Sequence, residues 1–412
     1  MWRRFVQSET GHENLQWRYN MSTRARLAVV LVILIGVVAG CAPKTPVTEN
    51  PGTSIEISAM VKANAESPGY DVYDAVLLSW NVSQNRLAST SAPVLHVNDK
   101  DIGYGLHWSA GTPLLAVQHW GLEGTSTEAT ALLTAMSDDA QLLVPPKEIR
   151  YSHQAGGSVC RWYAPEEHAF VAAPRELNAA PQKTLNGKTI TVTEYPLTAG
   201  SSKRTLTVPV PAGLTQVIVV YGSGSLDGGF ALAVSPSAAV TNDAGFDLWL
   251  IRMSGGKGTW VKCSNASGFD GNLVTDADAS FARIGSLLYF THGHGKVYCI
   301  DTAAAVPSVT APEKVNVLLD QLYQQGPTDA EAPLQASLAS EGDLLIIGYP
   351  DAGWNELYYA LGSSGEVLGH LCATEASVTS FDAQDRQGFS LPFKGMQWTV
   401  LFPSVDLFES TI

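Results

Sequence analysis

Several clusters of side chains in this 412-residue chain are of types that could do chemistry, and each also has a plain structural interpretation. His292 and His294 flank Gly293, and imidazoles two residues apart can share a metal ion. They fall in a Gly-rich turn, however, where polar side chains normally face water. The sequence therefore predicts no metal at this turn.

An acidic segment, GFDGNLVTDADAS, offers hard oxygen ligands that would suit calcium. If Asp276 opened an EF-hand loop, the sixth residue would be Gly and the twelfth Glu. These positions hold Phe281 and Leu287, so the motif fails and a solvated loop is expected. The candidate oxygen ligands of this segment are the side chains of Asp270, Asn272, Asp276 and Asp278.

Enzymatic motifs are also missing from the sequence. The segment around Ser223 and Ser225 does not match the GxSxG nucleophile elbow, and Glu166, Glu167 and His168 do not form an HExxH zinc helix. No Walker loop or dinucleotide fingerprint is present. Because paired glycosidase carboxylates cannot be recognised from sequence, an enzyme stays open, although a non-enzymatic protein without a cofactor is favoured.

Trp354 is the best candidate for a contact residue. It lies in YPDAGWN, residues 349–355, which reads as a loop, whereas most other tryptophans lie in apolar strand-like runs typical of a core. An exposed aromatic side chain is well suited to bind a protein or glycan partner.

The N-terminal region predicts where the protein works. Arg24 and Arg26 precede an apolar run from Leu27 to Val38, which is shorter than a membrane span and ends in Ala39-Gly40-Cys41. This ending resembles the lipobox of bacterial lipoproteins. The resemblance implies diacylglyceryl attachment at Cys41, palmitate among the acyl chains, and removal of the signal peptide.

The domain organisation follows from this signal. Residues 1–40 form an upstream extension and signal peptide, in which Met1 and Met21 both stay open as the start. Residues 41–54 form a flexible tether rich in Pro, Thr and Asn, and residues 55–412 form the folded domain. We expect a lipid-anchored protein on the extracytoplasmic side of the cell membrane or the outer membrane.

Composition limits the classes of partner. Removing residues 1–40 removes five basic and two acidic side chains and leaves 20 basic and 37 acidic ones, a net charge of −17. Such a chain lacks the basic patches that nucleic acids need. Cys160, Cys263, Cys299 and Cys372 allow three full disulfide pairings, which the sequence leaves open.

The elements that must position these residues are mostly short β-strands. Val, Ile, Leu and aromatic runs bounded by Gly, Pro, Asn or Asp recur from Ile55 to Phe402. One helix is predicted after Pro312, with an apolar stripe from Val315 to Tyr323 and an end at Gly326. About twenty strands joined by local hairpins must hide their edges.

These patterns predict an all-β fold, a β-propeller of six to seven blades with one short helical insertion. The hairpin LLYFTHGHGKVYCID resembles blades of quinoprotein-type propellers, and the resemblance implies envelope assembly as one specific role. Tandem β-sandwiches are the alternative fold, and residues 184–235 alternate in a way that suits them. Within a propeller, we expect this segment to be an irregular blade or a small insertion. The predicted function is a binding or scaffold protein of the envelope. An extracytoplasmic propeller enzyme acting on glycans or other envelope substrates is the alternative.

Overall fold

The structure is a computed structural model of the full chain. All the residues that it describes belong to one compact unit, Ser54–Ile412. The described residues are 56–67, 70–89, 95–99, 106–109, 112–119, 128–136, 142–152, 159–167, 169–181, 183–196, 200–236, 245–265, 280–292, 295–328, 334–374, 376–392 and 398–401. The predicted signal peptide, Cys41 and the tether lie outside them, so the lipid anchor and the domain boundaries stay predictions.

The described strands form six antiparallel sheets, and the hairpins of these sheets follow one another along the chain. Blade 1 contains β1 (Glu56–Ser67), β2 (Tyr70–Asn81), β3 (Arg86–Ser89), β4 (Leu95–Asp99) and β28 (Trp398–Leu401). Blade 2 contains β5 (Leu106–Ser109), β6 (Thr112–His119), β7 (Glu128–Met136) and β8 (Leu142–Ser152). Blade 3 contains β9 (Val159–Ala164), β10 (Ala169–Pro174), β12 (Thr189–Pro196) and β13 (Arg204–Pro209).

The later sheets are larger on average. Blade 4 contains β11 (Glu176–Asn178), β14 (Gln216–Ser223), β15 (Phe230–Pro236), β16 (Phe246–Ser254) and β17 (Lys257–Lys262). Blade 5 contains β18 (Phe281–Ile284), β19 (Leu287–His292), β20 (Lys296–Asp301) and β21 (Val309–Thr310). Blade 6 contains β22 (Ser337–Glu341), β23 (Leu344–Pro350), β24 (Glu356–Leu361), β25 (Val367–Ala373), β26 (Ser377–Asp382) and β27 (Gln387–Pro392).

Contacts between the first and last blades bring the two ends of the series of sheets together. Leu78 and Trp80 of blade 1 pack in one apolar cluster with Ile346 and Leu371 of blade 6. The last strand, β28, also pairs antiparallel with β1, so the C-terminal part of the chain completes the first blade. Similar clusters join blade 3 to blade 4, blade 4 to blade 5, and blade 5 to blade 6. The described strands therefore form six blades of a β-propeller, and the predicted all-β propeller is confirmed.

The helical insertion is also confirmed. Helix α1 (Glu313–Gln325) begins after Pro312 and ends before Gly326, and its buried residues Val315, Leu319 and Leu322 pack between blades 5 and 6. The side chain of Asn316 accepts a hydrogen bond from the N–H of Val297 (2.7 Å) and donates one to its carbonyl (3.0 Å). Because β21 pairs only with Cys299 and Ile300 of β20, this amide satisfies backbone groups that a longer outer strand would otherwise pair.

Residues 184–235 do not form the irregular blade or insertion that their alternation suggested. Their first two strands, β12 and β13, complete blade 3, and their last two, β14 and β15, begin blade 4. Strands β12 and β13 alternate because each has one exposed face, whereas β15 is buried on both faces. The alternation reflects two strands of one blade that each expose one face, and the tandem-sandwich alternative is wrong.

Candidate functional site

The loop between β23 and β24 presents Trp354 to solvent. Its side chain is 47% exposed, one of a few large exposed hydrophobic residues among those described. We call the end of the propeller that carries this loop the upper end, and the end with the β22–β23 turn the lower end. The sequence-based prediction of Trp354 as a contact residue stays a prediction, but its exposure is what that role requires.

Hydrogen bonds to Asp351 fix the shape of this loop. The Asp351 carboxylate accepts from the backbone N–H of Gly353 (2.8 Å) and of Asn355 (2.9 Å). It also accepts from the side-chain amide of Asn355, at 3.0 Å. The Asp351 carbonyl accepts from the N–H of Trp354 at 2.9 Å, and the carbonyl of Asn355 accepts from the N–H of Asp351 at 2.9 Å. The indole is thus presented by an ordered backbone.

The backbone of Trp354 is strained. Its φ angle is +63°, in the left-handed region that favours glycine. A non-glycine residue there loses roughly 1–2 kcal/mol, and such strain persists only where the surroundings impose it. Asp351 supplies those surroundings, and a tryptophan stands where glycine would be more stable. Strain of this kind, held at an exposed aromatic side chain, is typical of functional sites.

The surroundings of this loop are acidic. Burial, and then the nearby charge of Asp351, raises the pKa of the Glu356 carboxyl. Burial also raises the pKa of Tyr359 and of Cys372, with a smaller contribution from Asp351 in both. The Asp351 carboxylate, although it is hydrogen-bonded within its loop, therefore projects negative charge into the upper part of blade 6.

At the lower end, hydrogen bonds join four blades. Glu166 of blade 3 accepts from the N–H of Ser225 in blade 4 (2.8 Å). Arg283 of blade 5 donates to the hydroxyl of Ser223 in blade 4 (2.8 Å), and its carbonyl accepts from the hydroxyl of Ser340 in blade 6 (2.7 Å). We call these five residues the lower belt. The Glu166 and Ser223–Ser225 segments considered for catalysis are thus used to join blades.

Glu341 follows the lower belt on β22 and differs from it. Its Oε2 atom is buried and has no hydrogen-bond partner. Burial raises the pKa of this carboxyl to about 7. A carboxyl with that pKa is protonated in about half of the molecules at pH 7, and a pKa near the operating pH is a property of general acids.

This titration gives a testable prediction. The folded state binds the Glu341 proton more tightly than the unfolded state, so stability falls as pH rises from about 4.5 to about 7. We expect Glu341→Gln, which keeps the neutral form, to match the native chain at pH 4.5. At pH 8 it should be more stable, by at most a few kcal/mol, since one pKa unit equals about 1.4 kcal/mol. Denaturant unfolding at both pH values measures this.

Asp343→Asn is the matched control, because Asp343 is exposed in the same hairpin turn. We expect its effect to stay within about 0.5 kcal/mol at both pH values. An equal stability of the native and Glu341→Gln chains at pH 8 would contradict the account of Glu341.

The other predicted residues are placed as follows. The side chains of His292 and His294 and the acidic segment around Asp276 lie outside the described residues. Burial raises the pKa of the Cys263 and Cys299 thiols to about 11, which leaves both protonated and unreactive at neutral pH. Among the described residues, no group of three or more His, Cys, Asp or Glu is placed to hold a metal ion.

Sequence reasoning missed Asp351, Arg283 and Glu341. Asp351 had a usable signal, because an Asp two residues before a Gly commonly folds its carboxylate onto the following backbone N–H groups. Arg283 had none, since its partner Ser223 lies 60 residues away in the sequence.

In the part of the chain that the structure describes, no helix has the length and apolar character needed to cross a membrane.

Comparisons with known proteins found distant structural similarity only. No protein-family model and no curated protein sequence matches the chain. An α-L-arabinanase of Penicillium chrysogenum has a TM-score of 0.38 and 11% identity, over 81% of this chain and 99% of that one. The β-propeller domain of the Trilobed protease of Pyrococcus furiosus has a TM-score of 0.37 and 10% identity, over 83% and 95%.

A third similar structure is much longer than the region it shares with this chain. Prolyl oligopeptidase B of Galerina marginata has a TM-score of 0.36 and 11% identity, over 86% of this chain and 52% of its own. The chain thus spans about half the length of that enzyme. The propeller assignment rests on the six sheets and on the contacts between the first and the last of them, and the chain is similar to these proteins without being assigned to a family.

Proposed function

We propose that this protein is a lipid-anchored binding or scaffold protein of the bacterial envelope, and that the Trp354 loop is its contact with a partner. The observation that carries the proposal is an exposed tryptophan held at positive φ by the hydrogen bonds of Asp351. Neither the exposure nor the strain favours folding, so both fit a residue retained for binding.

The lipid anchor is the second part of the proposal. It is supported by the order and spacing of Arg24 and Arg26, the apolar run that follows them, and Cys41. Two or three acyl chains on one cysteine satisfy the requirement that stable anchoring takes more than one chain. We expect Cys41→Ser to move the protein out of the membrane fraction, and retention there would mean that another anchor exists.

Photocrosslinking in cells tests the contact. A photoreactive phenylalanine derivative replaces Ala352, which is exposed in the loop, or Val306, which is 66% exposed in the β20–β21 connection at the lower end. We expect a discrete crosslinked product from position 352, lost in a Trp354→Gly background, and none from position 306. The same products from both positions, or no effect of Trp354→Gly, would contradict the proposal.

An enzyme acting on glycans or other envelope substrates is the second candidate. Glu341 favours it, because a carboxyl with a pKa of about 7 can protonate a leaving group. If the protein hydrolyses an isolated envelope polysaccharide, Glu341→Gln should abolish that hydrolysis and Asp343→Asn should not. Hydrolysis that survives Glu341→Gln would remove Glu341 from this role.

A further inference from the structure

The Trp354 loop lies in a part of the chain that carries one sign of charge. From residue 315 to residue 385 there are 71 residues without a single Lys or Arg, and 11 of them are Asp or Glu. The interval begins after Lys314, on the first turn of α1, and ends before Arg386, in the β26–β27 turn. It includes strands β22 to β26 and the loop that presents Trp354.

The two basic residues that bound this interval lie against turns other than the one that carries Trp354. Lys314 contacts Gly365 in the β24–β25 turn, which is a lower-end turn. Arg386 pairs with Asp382 (2.7 Å) across the lower-end turn between β26 and β27. The upper end of blade 6 thus combines the carboxylates of Asp351 and Glu356 with an exposed indole ring.

Two other exposed or half-buried aromatic rings of the chain already have a cation over them. Arg86 lies 5.8 Å from the ring centre of Phe389, and Lys262 lies 5.8 Å from that of Trp249. Among the described side chains, no cation lies over the ring of Trp354. Indole is the aromatic ring with the strongest cation–π attraction. Its ring, in an acidic region, is available to a cation from outside the chain.

We propose that the upper end of blade 6 binds a Lys- or Arg-containing peptide segment of a partner protein, with one cationic side chain over the indole of Trp354. This inference rests on the proposed binding function and names the chemistry of its partner. Complementary charge would speed the encounter, and the indole would select a cationic side chain at one point. A net charge of −17 on the chain without residues 1–40 favours the same class of partner.

Fluorescence anisotropy with defined probes tests the inference. The probes are a fluorescein-labelled decapeptide of alternating lysine and glycine, the same peptide with glutamate for lysine, and labelled chitohexaose as a neutral glycan. The detergent-solubilised full chain should bind the lysine peptide and neither of the others. Its affinity should fall between 50 and 300 mM NaCl, because salt screens the attraction.

Three variants identify the residue responsible. We expect Trp354→Ala to weaken binding of the lysine peptide by at least about threefold, and Trp354→Phe to have a smaller effect, as the order of cation–π strength requires. Phe389→Ala is the matched control, because Phe389 is 48% exposed on the same blade and already has Arg86 over its ring. That control should leave the affinity unchanged.

The outcomes separate this inference from the function on which it rests. Binding of the lysine peptide that is unaffected by Trp354→Ala would be nonspecific attraction and would overturn the inference. Binding of chitohexaose that depends on Trp354 and not on salt would overturn it in favour of a glycan. If no probe binds while the crosslink from position 352 still requires Trp354, the inference fails and the proposed function stands.

Discussion

Replacing Gly222 by Ala is expected to destabilise the propeller by roughly 3 kcal/mol or more. A Cβ at this position would lie 2.2 Å from Cε3 and 2.4 Å from Cδ2 of Trp162, whose side chain is completely buried between blades 3 and 4. The ring cannot turn freely, because its Nε1 donates to the carbonyl of Gly224 at 2.7 Å. Overpacking costs about 1–3 kcal/mol, and a lost buried hydrogen bond adds about 1–3 kcal/mol.

Gly295→Ala is the control for this prediction. It adds the same methyl group at a glycine that has no atom within 4 Å of its new Cβ and no positive φ. Denaturant unfolding should place this variant within about 0.5 kcal/mol of the native chain. A loss of less than about 1 kcal/mol for Gly222→Ala would show that blades 3 and 4 do not pack as closely as described.

Replacing Arg204 by Leu is expected to cost roughly 3–5 kcal/mol, because it leaves a buried carboxylate without its cation. Glu194 is 1% exposed, hydrogen-bonds to Arg204 and accepts from the N–H of Leu226 at 3.0 Å. The hydrogen bond to Glu194 is the main reason that the pKa of Arg204 is raised. The hydrogen bonds of Glu194 join β12, β13 and the β14–β15 turn. Loss of the Arg204 side chain should therefore loosen the lower end of blades 3 and 4.

A double-mutant cycle tests whether the uncompensated charge of Glu194 causes the loss of stability in Arg204→Leu. Glu194→Gln removes the charge but keeps an acceptor for Leu226, so the double variant with Arg204→Leu should recover more than half of the loss. Arg386→Leu breaks a pair with Asp382 in which the Arg386 side chain is 74% exposed, and should cost at most about 1 kcal/mol. Equal losses in the single and double variants would contradict an uncompensated charge as the cause.

Local patterns in the sequence predicted the propeller well. Gly255 and Gly256 adopt positive φ in the turn between β16 and β17, where residues 254–258 have the turn-forming sequence SGGKG. Helix α1 keeps the predicted bounds because its stripe, its preceding proline and its following glycine all agree. Each of these features depends on residues that are close together in the sequence.

Features that depend on distant residues could not be predicted in this way. The lower belt joins residues 57 to 60 positions apart, so no short pattern reveals it. The length of residues 184–235 fits one irregular blade, and only the pairing of strands shows that they belong to two. Trp354 was predicted from its loop composition, but the positive φ follows from hydrogen bonds that the sequence did not specify.

The free energy of unfolding of Trp354→Gly tests most directly whether this residue is retained for contact. Glycine relieves the strain at a φ of +63° while removing a side chain that is 47% exposed. We predict a stability equal to that of the native chain or higher by up to about 1 kcal/mol, together with loss of the crosslink from position 352. A loss of more than about 2 kcal/mol would show instead that Trp354 supports the fold.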